Sequence, residues 1–324
     1  MRTGHVMDDT TLLSVRVTPK TPTDRINLNT GLAALATEDP TLRVRTEEAT
    51  GDVTIASMGE LHLEIIIDRL AREFHVESSL SRPQVAYKET LTRPADGEMK
   101  YAGQTEGRGY YGHVKLHTSP GRRGSGYVFE SAIVRGSIPN EFIQPIDEGV
   151  REALAQGVLA GYPIVDVRVE LYDGSYHDID SSEAAFTIAG SMALWNAAKK
   201  ARPVLLQPVM RVQVTAPQEY ISDIASNLTS RRGHIESYED RGRTQVVLAR
   251  VPFSEMLGYA RELRNRTRGI GTFFMQLDQY EPIDPANDGD GGRGAYVSAP
   301  HRPSPSPRDL RVALPEPDED QTEK

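Results

Sequence analysis

The amino-acid sequence predicts an α+β protein in which two β-α-β-β-α-β modules flank a middle α+β region, with a disordered tail at the end. Three observations lead to this prediction. Runs of alternating apolar residues, typical of strands, are interleaved with runs of helical spacing. Their order between residues 11 and 81 recurs between 204 and 283. The segment 284–324 is rich in proline, glycine and acidic residues, so we expect it to be disordered. Residues 1–10 are then a flexible start, and residues 82–203 form the middle region.

The two modules are predicted from the same succession of patterns. The first has a strand with Leu13, Val15 and Val17, a helix with Ile26, Leu28, Leu32 and Leu35, strands at 42–46 and 53–57, a helix over 59–74 with Leu61, Ile65 and Leu70, and a strand at 76–79. The second has a strand at 211–215, a helix with Ile221, Ile224 and Leu228, a hairpin of 234–238 with 244–251, a helix over 254–266 and a strand at 272–280.

The middle region is predicted to begin with strands and turns. A helix over 141–156 carries Phe142, Ile146, Val150 and Leu154, and an alternating strand covers 164–171. A loop then leads into a long helix over 182–200. Asp180 and Glu183 fit the N-cap and the capping box of that helix, which would hold the loop at a defined point.

Composition excludes several classes of protein. The chain has 324 residues and a formal net charge of −9, which argues against indiscriminate coating of nucleic acid but allows local basic surfaces. It has no cysteine, so these residues form no disulfide and no cysteine-ligated metal centre. No run approaches the roughly 18–20 apolar residues of a membrane span, and the first residues lack the apolar stretch of a signal peptide. We therefore expect a cytoplasmic protein with no membrane partner.

The string Gly107-Arg-Gly-Tyr-Tyr-Gly112 matches the G-x-G-x-x-G pattern of dinucleotide-binding turns. That pattern binds a nucleotide only where a strand turns into a helix, whereas residues 113–117 alternate like a strand. We therefore predict a hairpin tip and no nucleotide site. Its glycines would allow close backbone approach, its arginine would bind phosphate and its two tyrosines would stack on bases. An ordinary solvated hairpin fits these residues equally well.

The loop Ser175-Tyr-His-Asp-Ile-Asp-Ser-Ser182 combines residue types found in catalytic triads and metal sites. Adjacent residues on one loop rarely provide triad geometry, and the sequence has no G-x-S-x-G elbow. One histidine with two aspartates lacks further metal ligands. We therefore predict neither catalysis nor metal binding, and we interpret His177 as an RNA contact at the loop apex.

Arginines cluster near two predicted helix ends in the second module. Arg231 and Arg232 follow one helix, and Arg264 lies near the end of the other. They could bind phosphates or complement helix dipoles. No G-x-x-x-x-G-K-[ST] string occurs in the sequence, so these residues form no P-loop for a nucleoside triphosphate.

Long strings of the sequence resemble the C-terminal half of bacterial translation elongation factor G, almost continuously over residues 12–282. The strings are Gly59-Glu-Leu-His-Leu63, Arg82-Pro-Gln-Val-Ala-Tyr87, Tyr111-Gly-His-Val114, Leu159-Ala-Gly-Tyr-Pro163, Gly174-Ser-Tyr-His-Asp-Ile-Asp-Ser-Ser-Glu183, Arg202-Pro-Val-Leu-Leu206, Ser230-Arg-Arg-Gly233 and Ser254-Glu-Met-Leu-Gly-Tyr-Ala260.

The resemblance implies domains III, IV and V of that family, of which III and V are ferredoxin-like and IV is an elongated arm. It also implies that the arm tip contacts the tRNA–mRNA duplex in the ribosomal decoding centre during translocation. By position the tip residues are Arg108, Gly109, Tyr110, Tyr111, Gly112, His113, Ser175, Tyr176, His177, Asp178 and Ser181. The expected partners are ribosomal RNA, tRNA–mRNA and the stalk base, with Arg231, Arg232 and Arg264 as further ribosome contacts.

The sequence departs from the family in three respects. It holds no match to the GTPase and β-barrel domains, so we expect no cofactor here and GTP only through a separate domain or a chain acting in trans. Tyr110 stands where the family commonly has glutamine. The acidic tail is unfamiliar. The alternatives are a ribosomal protection or recycling factor and an inactive remnant without ribosome affinity. A small-molecule enzyme is the weakest alternative.

Overall fold

The structure, a computed structural model, describes residues 11–46, 52–105, 108–133 and 136–283. The predictions for residues 1–10 and 284–324 lie outside the described residues. The chain divides into two compact units. One, which we call the flanking unit, contains the chain up to Tyr87 together with Gln207–Glu281. The other, the middle unit, contains Lys88–Leu206 and continues from Pro282.

The secondary structure alternates strands and helices throughout. In chain order the elements are β1 (Leu13–Pro19), α1 (Pro22–Glu38), β2 (Arg43–Thr46), β3 (Val53–Ser57), α2 (Glu60–Glu73), β4 (Ser78–Leu80), β5 (Gln84–Val85), β6 (Lys88–Leu91), β7 (Ala95–Thr105), β8 (Arg108–Pro120), β9 (Tyr127–Ser131), α3 (Ile143–Gln156), β10 (Val167–Ser175), α4 (Glu183–Lys200), β11 (Pro203–Pro217), α5 (Ile221–Ser230), β12 (His234–Arg241), β13 (Thr244–Pro252), α6 (Phe253–Met256), α7 (Tyr259–Arg266) and β14 (Thr272–Pro282).

Both sheets of the flanking unit have the strand order of a split β-α-β fold, which confirms the predicted fold class. They run β2-β3-β1-β4 and β12-β13-β11-β14. Helix α1 begins with a capping box, because the Thr21 side chain accepts from the Asp24 N–H and the Asp24 carboxylate accepts from the Thr21 N–H. The Asp24 carboxylate also accepts from the N–H of Glu77 at 2.8 Å, so it joins the start of α1 to the chain before β4.

Helical spacing predicted the wrong buried face for parts of α1 and α2. Ile26, Leu61 and Ile65 are exposed. The buried face of α2 instead carries Leu63, Ile66 and Leu70. Both sides of this helix carry aliphatic residues, so the spacing alone does not say which side packs on the sheet.

The predicted helix over 254–266 is two helices, α6 and α7. Gly258 separates them with a φ of 74°, in the left-handed region that favours glycine. Leu257 just before it is extended. The Gly258 N–H donates to Oε2 of Glu60 at 2.8 Å. A glycine bound in this conformation cannot continue a right-handed helix.

The middle unit is a four-stranded sheet of order β7-β8-β10-β9, with α3 and α4 packed together. Helix α4 contacts both β7 and β8. The approach is close, since a β-carbon on Gly97 would lie 2.0 Å from the Ala193 carbonyl oxygen. The core includes Leu116 on β8, Leu171 on β10 and Phe186 on α4. This packing gives β7 and β8 a rigid support.

Strand β10 begins at Val167, later than the predicted residue 164. Asp166 has a φ of 56°, which interrupts an extended strand. Ile164 makes only an isolated bridge with Glu89. Strand β11 is longer than the predicted 211–215 because its first residues pair with β6.

Glu89 on β6 is fully buried. Its carboxylate accepts backbone N–H groups from Val158, Leu159, Ala160 and Tyr162 at 2.8–3.1 Å. No local pattern indicates this role, because the loop that donates these bonds lies about 70 residues further along the chain. Among the described residues, no helix combines the length and apolar character needed to cross a bilayer.

Candidate nucleic-acid interface

The structure places the two predicted tip segments side by side. Strands β8 and β10 pair antiparallel from Val167 with Pro120 to Ser175 with His113. Beyond β10, the chain returns to β8, where the Tyr111 N–H donates to the Asp180 carbonyl at 2.8 Å. The Ser181 hydroxyl donates to the Tyr111 carbonyl at 3.1 Å. We call residues 100–105 of β7, residues 108–113 of β8 and residues 175–182 together the tip.

Side chains on three strands connect below the tip. The Ser175 hydroxyl lies 2.7 Å from the Tyr111 hydroxyl and 2.8 Å from Nδ1 of His113. Nε2 of His113 lies 2.8 Å from the Glu98 carboxylate, and this hydrogen bond lowers the pKa of Glu98. Only 15% of the His113 side chain is exposed. His113 and Ser175 therefore hold the tip together and present little surface of their own.

Tyr110 packs within the hairpin. Its ring stacks on that of Tyr101 with centroids 4.7 Å apart. A β-carbon on Gly103 would lie 2.3 Å from the Tyr110 hydroxyl, so the ring also lies against the backbone of β7. One ring face is thereby used inside the protein. At most the other face of the Tyr110 ring can therefore stack on a base, as was predicted for this residue.

Tyr111 lies near both a cation and an imidazole. Lys100 Nζ is 5.4 Å from the Tyr111 ring centroid, and the His177 ring centroid is 6.3 Å away on a tilted plane. Lys100 and Tyr101 were not predicted as part of the tip. The sequence could have indicated that both residues lie on a strand. Only the pairing of β7 with β8 shows that Lys100 lies near Tyr111 and that Tyr101 stacks on Tyr110.

His177 is held through Nδ1, and 53% of its side chain is exposed. The Asp180 N–H donates to Nδ1 at 3.2 Å, and the Asp180 carboxylate lies 3.2 Å from the same atom. The His177 N–H donates to the Ser181 hydroxyl at 2.9 Å. Nε2 has no hydrogen bond to a described residue, so this nitrogen can bind an outside group.

The loop apex exposes side chains with flat and apolar surfaces. Tyr176 is 42% exposed and Ile179 is 86% exposed. Together with His177 and Asp178 they line an open depression. Within the part of the chain that the structure describes, no group of His, Asp and Glu residues could hold a metal ion.

The N-cap of α4 is Ser182, and the prediction of Asp180 with Glu183 was wrong. The Ser182 side chain accepts from the Ala185 N–H. The Asp180 carboxylate instead faces His177 and Gly109, where an added β-carbon would lie 2.3 Å from its Oδ1. Both residue types cap helices, so sequence alone could not choose between them.

The predicted tip loop over 107–113 is mostly strand. Residues 108–113 belong to β8, with Arg108 opposite Thr105 in the pairing of β7 and β8, while Gly107 lies outside the described residues. Gly112 is buried, and a β-carbon there would lie 2.7 Å from the Ala185 carbonyl of α4. Gly109 and Gly112 thus permit packing inside the middle unit.

The three arginines predicted to contact the ribosome differ in surroundings. Arg231 forms an ion pair with Glu262 and donates to the Glu255 carbonyl, and only 16% of its side chain is exposed. Arg232 lies 3.9 Å from the Glu255 carboxylate. Arg264 is exposed and forms no ion pair with a described residue. Arg231 therefore holds α5 against α6 and α7.

Three family models match successive parts of the chain. They are "Elongation Factor G, domain III" over residues 10–82, "Elongation factor G, domain IV" over 83–202 and "Elongation factor G C-terminus" over 204–288. A crystal structure of a protein from Thermus thermophilus is similar, with 41% sequence identity and a TM-score of 0.70. The match covers 84% of this chain and 41% of that chain, so this chain spans less than half of its length. The chain belongs to the elongation factor G family and contains its domains III, IV and C-terminal domain.

Proposed function

We propose that this chain binds the ribosome in the cytoplasm and supports tRNA–mRNA translocation through the tip of its middle unit. The observation that carries this proposal is the fixed presentation of Tyr176, His177 and Ile179 beside β8. Flat side chains and an exposed imidazole suit unstacked bases and the sugar-phosphate backbone. Family membership supports the ribosome as the target.

The proposed action is occupancy and contact, with no covalent step. Arg108 would bind a phosphate, Tyr176 and His177 would stack on or hydrogen-bond to RNA, and Tyr111 would support His177 from below. Gly109 would keep the two tip segments in contact, and Gly112 would let β8 pack closely on α4. These residues need no cofactor, and GTP hydrolysis would be supplied by a separate domain or by a chain acting in trans.

Sedimentation with purified ribosomes at several salt concentrations tests the proposal. The variant Arg108→Ala with His177→Ala should bind at least about tenfold more weakly, because two direct contacts are lost. Arg168→Ala with His117→Ala is the matched control. It removes the same residue types from the same sheet, where each pairs with a carboxylate away from the tip.

Toeprinting of the messenger provides the functional readout, with a GTPase and β-barrel chain added in trans. The tip variant should reduce messenger movement and the control should not. Equal ribosome binding and equal messenger movement by the tip variant and the unaltered chain would exclude a role for the tip.

A further inference from the structure

Four exposed cations lie together at the end of the middle unit opposite the tip. Lys199, Lys200 and Arg202 lie at the end of α4, and Arg93 precedes β7. We propose that this cluster, the basic corner, is a second RNA site that binds the sugar-phosphate backbone. The inference rests on the proposed ribosome-binding function and adds a contact that is separate from the tip.

Hydrogen bonds hold the two segments of the basic corner together. Nε of Arg93 donates to the Lys200 carbonyl at 2.8 Å, and the Arg93 N–H donates to the Ala201 carbonyl at 3.2 Å. The Thr92 hydroxyl donates to the Arg202 carbonyl at 2.8 Å. The cations therefore start from fixed backbone positions, which reduces the conformational entropy lost when a phosphate binds.

The charges of the basic corner have no carboxylate partner among the described residues. Nζ of Lys200 donates to the Asp96 carbonyl at 3.1 Å, a neutral acceptor that leaves the positive charge in place. Elsewhere in the same unit, Lys115 pairs with the Asp173 carboxylate at 2.9 Å. Four such cations in a chain of net charge −9 form a local positive field that attracts polyanions.

An aromatic ring adjoins the basic corner. Lys199 Nζ lies 3.1 Å from the centroid of the Trp195 ring, one turn earlier on α4. A cation over a tryptophan face is held in place and keeps its charge. Mixed cationic and aromatic surfaces are common where proteins follow a nucleic-acid strand.

The backbone at Arg202 is the independent observation. Its φ is 50°, in the left-handed region just after a helix end, where glycine is the usual residue. A side chain with a β-carbon is strained there, and a phosphate contact made by the arginine would offset that strain. The competing explanation is attraction to the negative end of the α4 dipole. These two explanations predict different effects of removing the side chain.

The basic corner and the tip are too far apart to be one contact. Ala95 begins β7 at the corner end and Thr105 ends it at the tip, with Ala95 opposite Thr118 of β8. At about 3.3 Å per residue, ten steps along the strand span roughly 33 Å. The two sites would therefore bind different stretches of RNA.

The test measures the salt dependence of binding to intact ribosomes and to protein-free ribosomal RNA. Lys200→Gln with Arg202→Gly should weaken binding to ribosomes and to free ribosomal RNA. The slope of log affinity against log salt should become shallower by about 1.4–1.8, corresponding to two lost phosphate contacts. The melting temperature of this variant should be equal or higher, because glycine relieves the strain at position 202. Arg72→Ala with Arg241→Ala removes the same charge from two arginines of the flanking unit that pair with carboxylates, and should leave the slope unchanged.

The outcomes separate the two proposals. An unchanged salt slope in the corner variant, with the tip variant weakened, overturns the basic corner and leaves the tip intact. A lower melting temperature with an unchanged slope assigns Arg202 to the helix end alone. Weaker binding to ribosomes but not to free RNA would indicate an acidic protein partner and also overturns the RNA site. If the unaltered chain binds neither particle, the proposed function fails together with this inference.

Discussion

The hydroxyl groups of Tyr111 and Ser175 lie 2.7 Å apart, and they join strand β8 to the last residue of β10. Ser175 also bonds to His113, which in turn bonds to Glu98 on β7. Three strands are thereby connected immediately below the apex loop. The loop that carries His177 consequently starts from a point defined by side chains as well as by the sheet.

Ser175→Ala should loosen this connection. The change removes two hydrogen bonds and should lower the free energy of unfolding by about 1–2 kcal/mol. Amide hydrogens of residues 176–182 should exchange faster, since the loop loses its anchor. Chemical denaturation and hydrogen exchange measure the two effects. Ser119→Ala is the control, because Ser119 lies on β8 and its side chain bonds to no described residue; an equal effect there would contradict the argument.

Glu89→Gln should destabilise the middle unit strongly. An amide NH₂ would then face backbone N–H donors that the carboxylate now accepts at 2.8–3.1 Å. Losing such charge-assisted bonds at a buried site should cost about 3 kcal/mol. Urea denaturation measures this cost. Glu130→Gln, on an exposed pair with Arg168, should change stability by less than about 1 kcal/mol.

Position 75 should tolerate glycine and resist β-branched residues. His75 follows α2 with a φ of 53°, in the left-handed region. His75→Gly should leave stability equal or up to about 1 kcal/mol higher, because relief of strain is partly offset by the entropy of glycine in the unfolded chain. His75→Val should be at least about 1 kcal/mol less stable than His75→Gly. Thermal unfolding compares them, and equal melting temperatures would mean that the backbone relaxes at no cost.

Asp24 should contribute to the acid sensitivity of the first module. The Thr21 hydroxyl, followed by the Glu77 N–H, lowers the pKa of Asp24 below its ordinary value. Its stabilising effect is therefore complete above about pH 4 and is lost as the pH falls through the lowered pKa. As the pH is lowered, the free energy of unfolding should fall less steeply for Asp24→Asn than for the unaltered chain.

Thr21→Ala provides the control for that prediction. It removes the largest cause of the shift, so NMR titration of the Asp24 carboxyl carbon should show a pKa closer to the ordinary value. An unchanged midpoint would show that the hydroxyl does not lower the pKa. Asp68→Asn, on an exposed pair with Arg72, should leave the acid limb of the stability curve nearly as it is.

The order of elements in both modules could be predicted because alternation and helical spacing are local properties. The spacing of Ile221, Ile224 and Leu228 identified a buried face correctly, since apolar residues occupy one side of that helix only. Leu61 and Ile65 misled the same reasoning because aliphatic residues occupy both sides of α2. The break at Gly258 was also missed, because its φ depends partly on a bond to Glu60 far along the chain.

For the tip, the sequence indicated which residue types are present but not which side chains contact one another. Consecutive residues were enough to predict a glycine- and tyrosine-rich hairpin and a His- and Asp-containing loop, since composition and turn chemistry are local. Only the resemblance to the family implied that the two share one tip. The folded arrangement was needed to show that Tyr110 stacks on Tyr101, that His113 is held by Glu98 and Ser175, and that Asp180 faces His177 instead of capping α4. Strand pairing brings together residues that are distant in the chain, and no local pattern records which of several suitable partners is met.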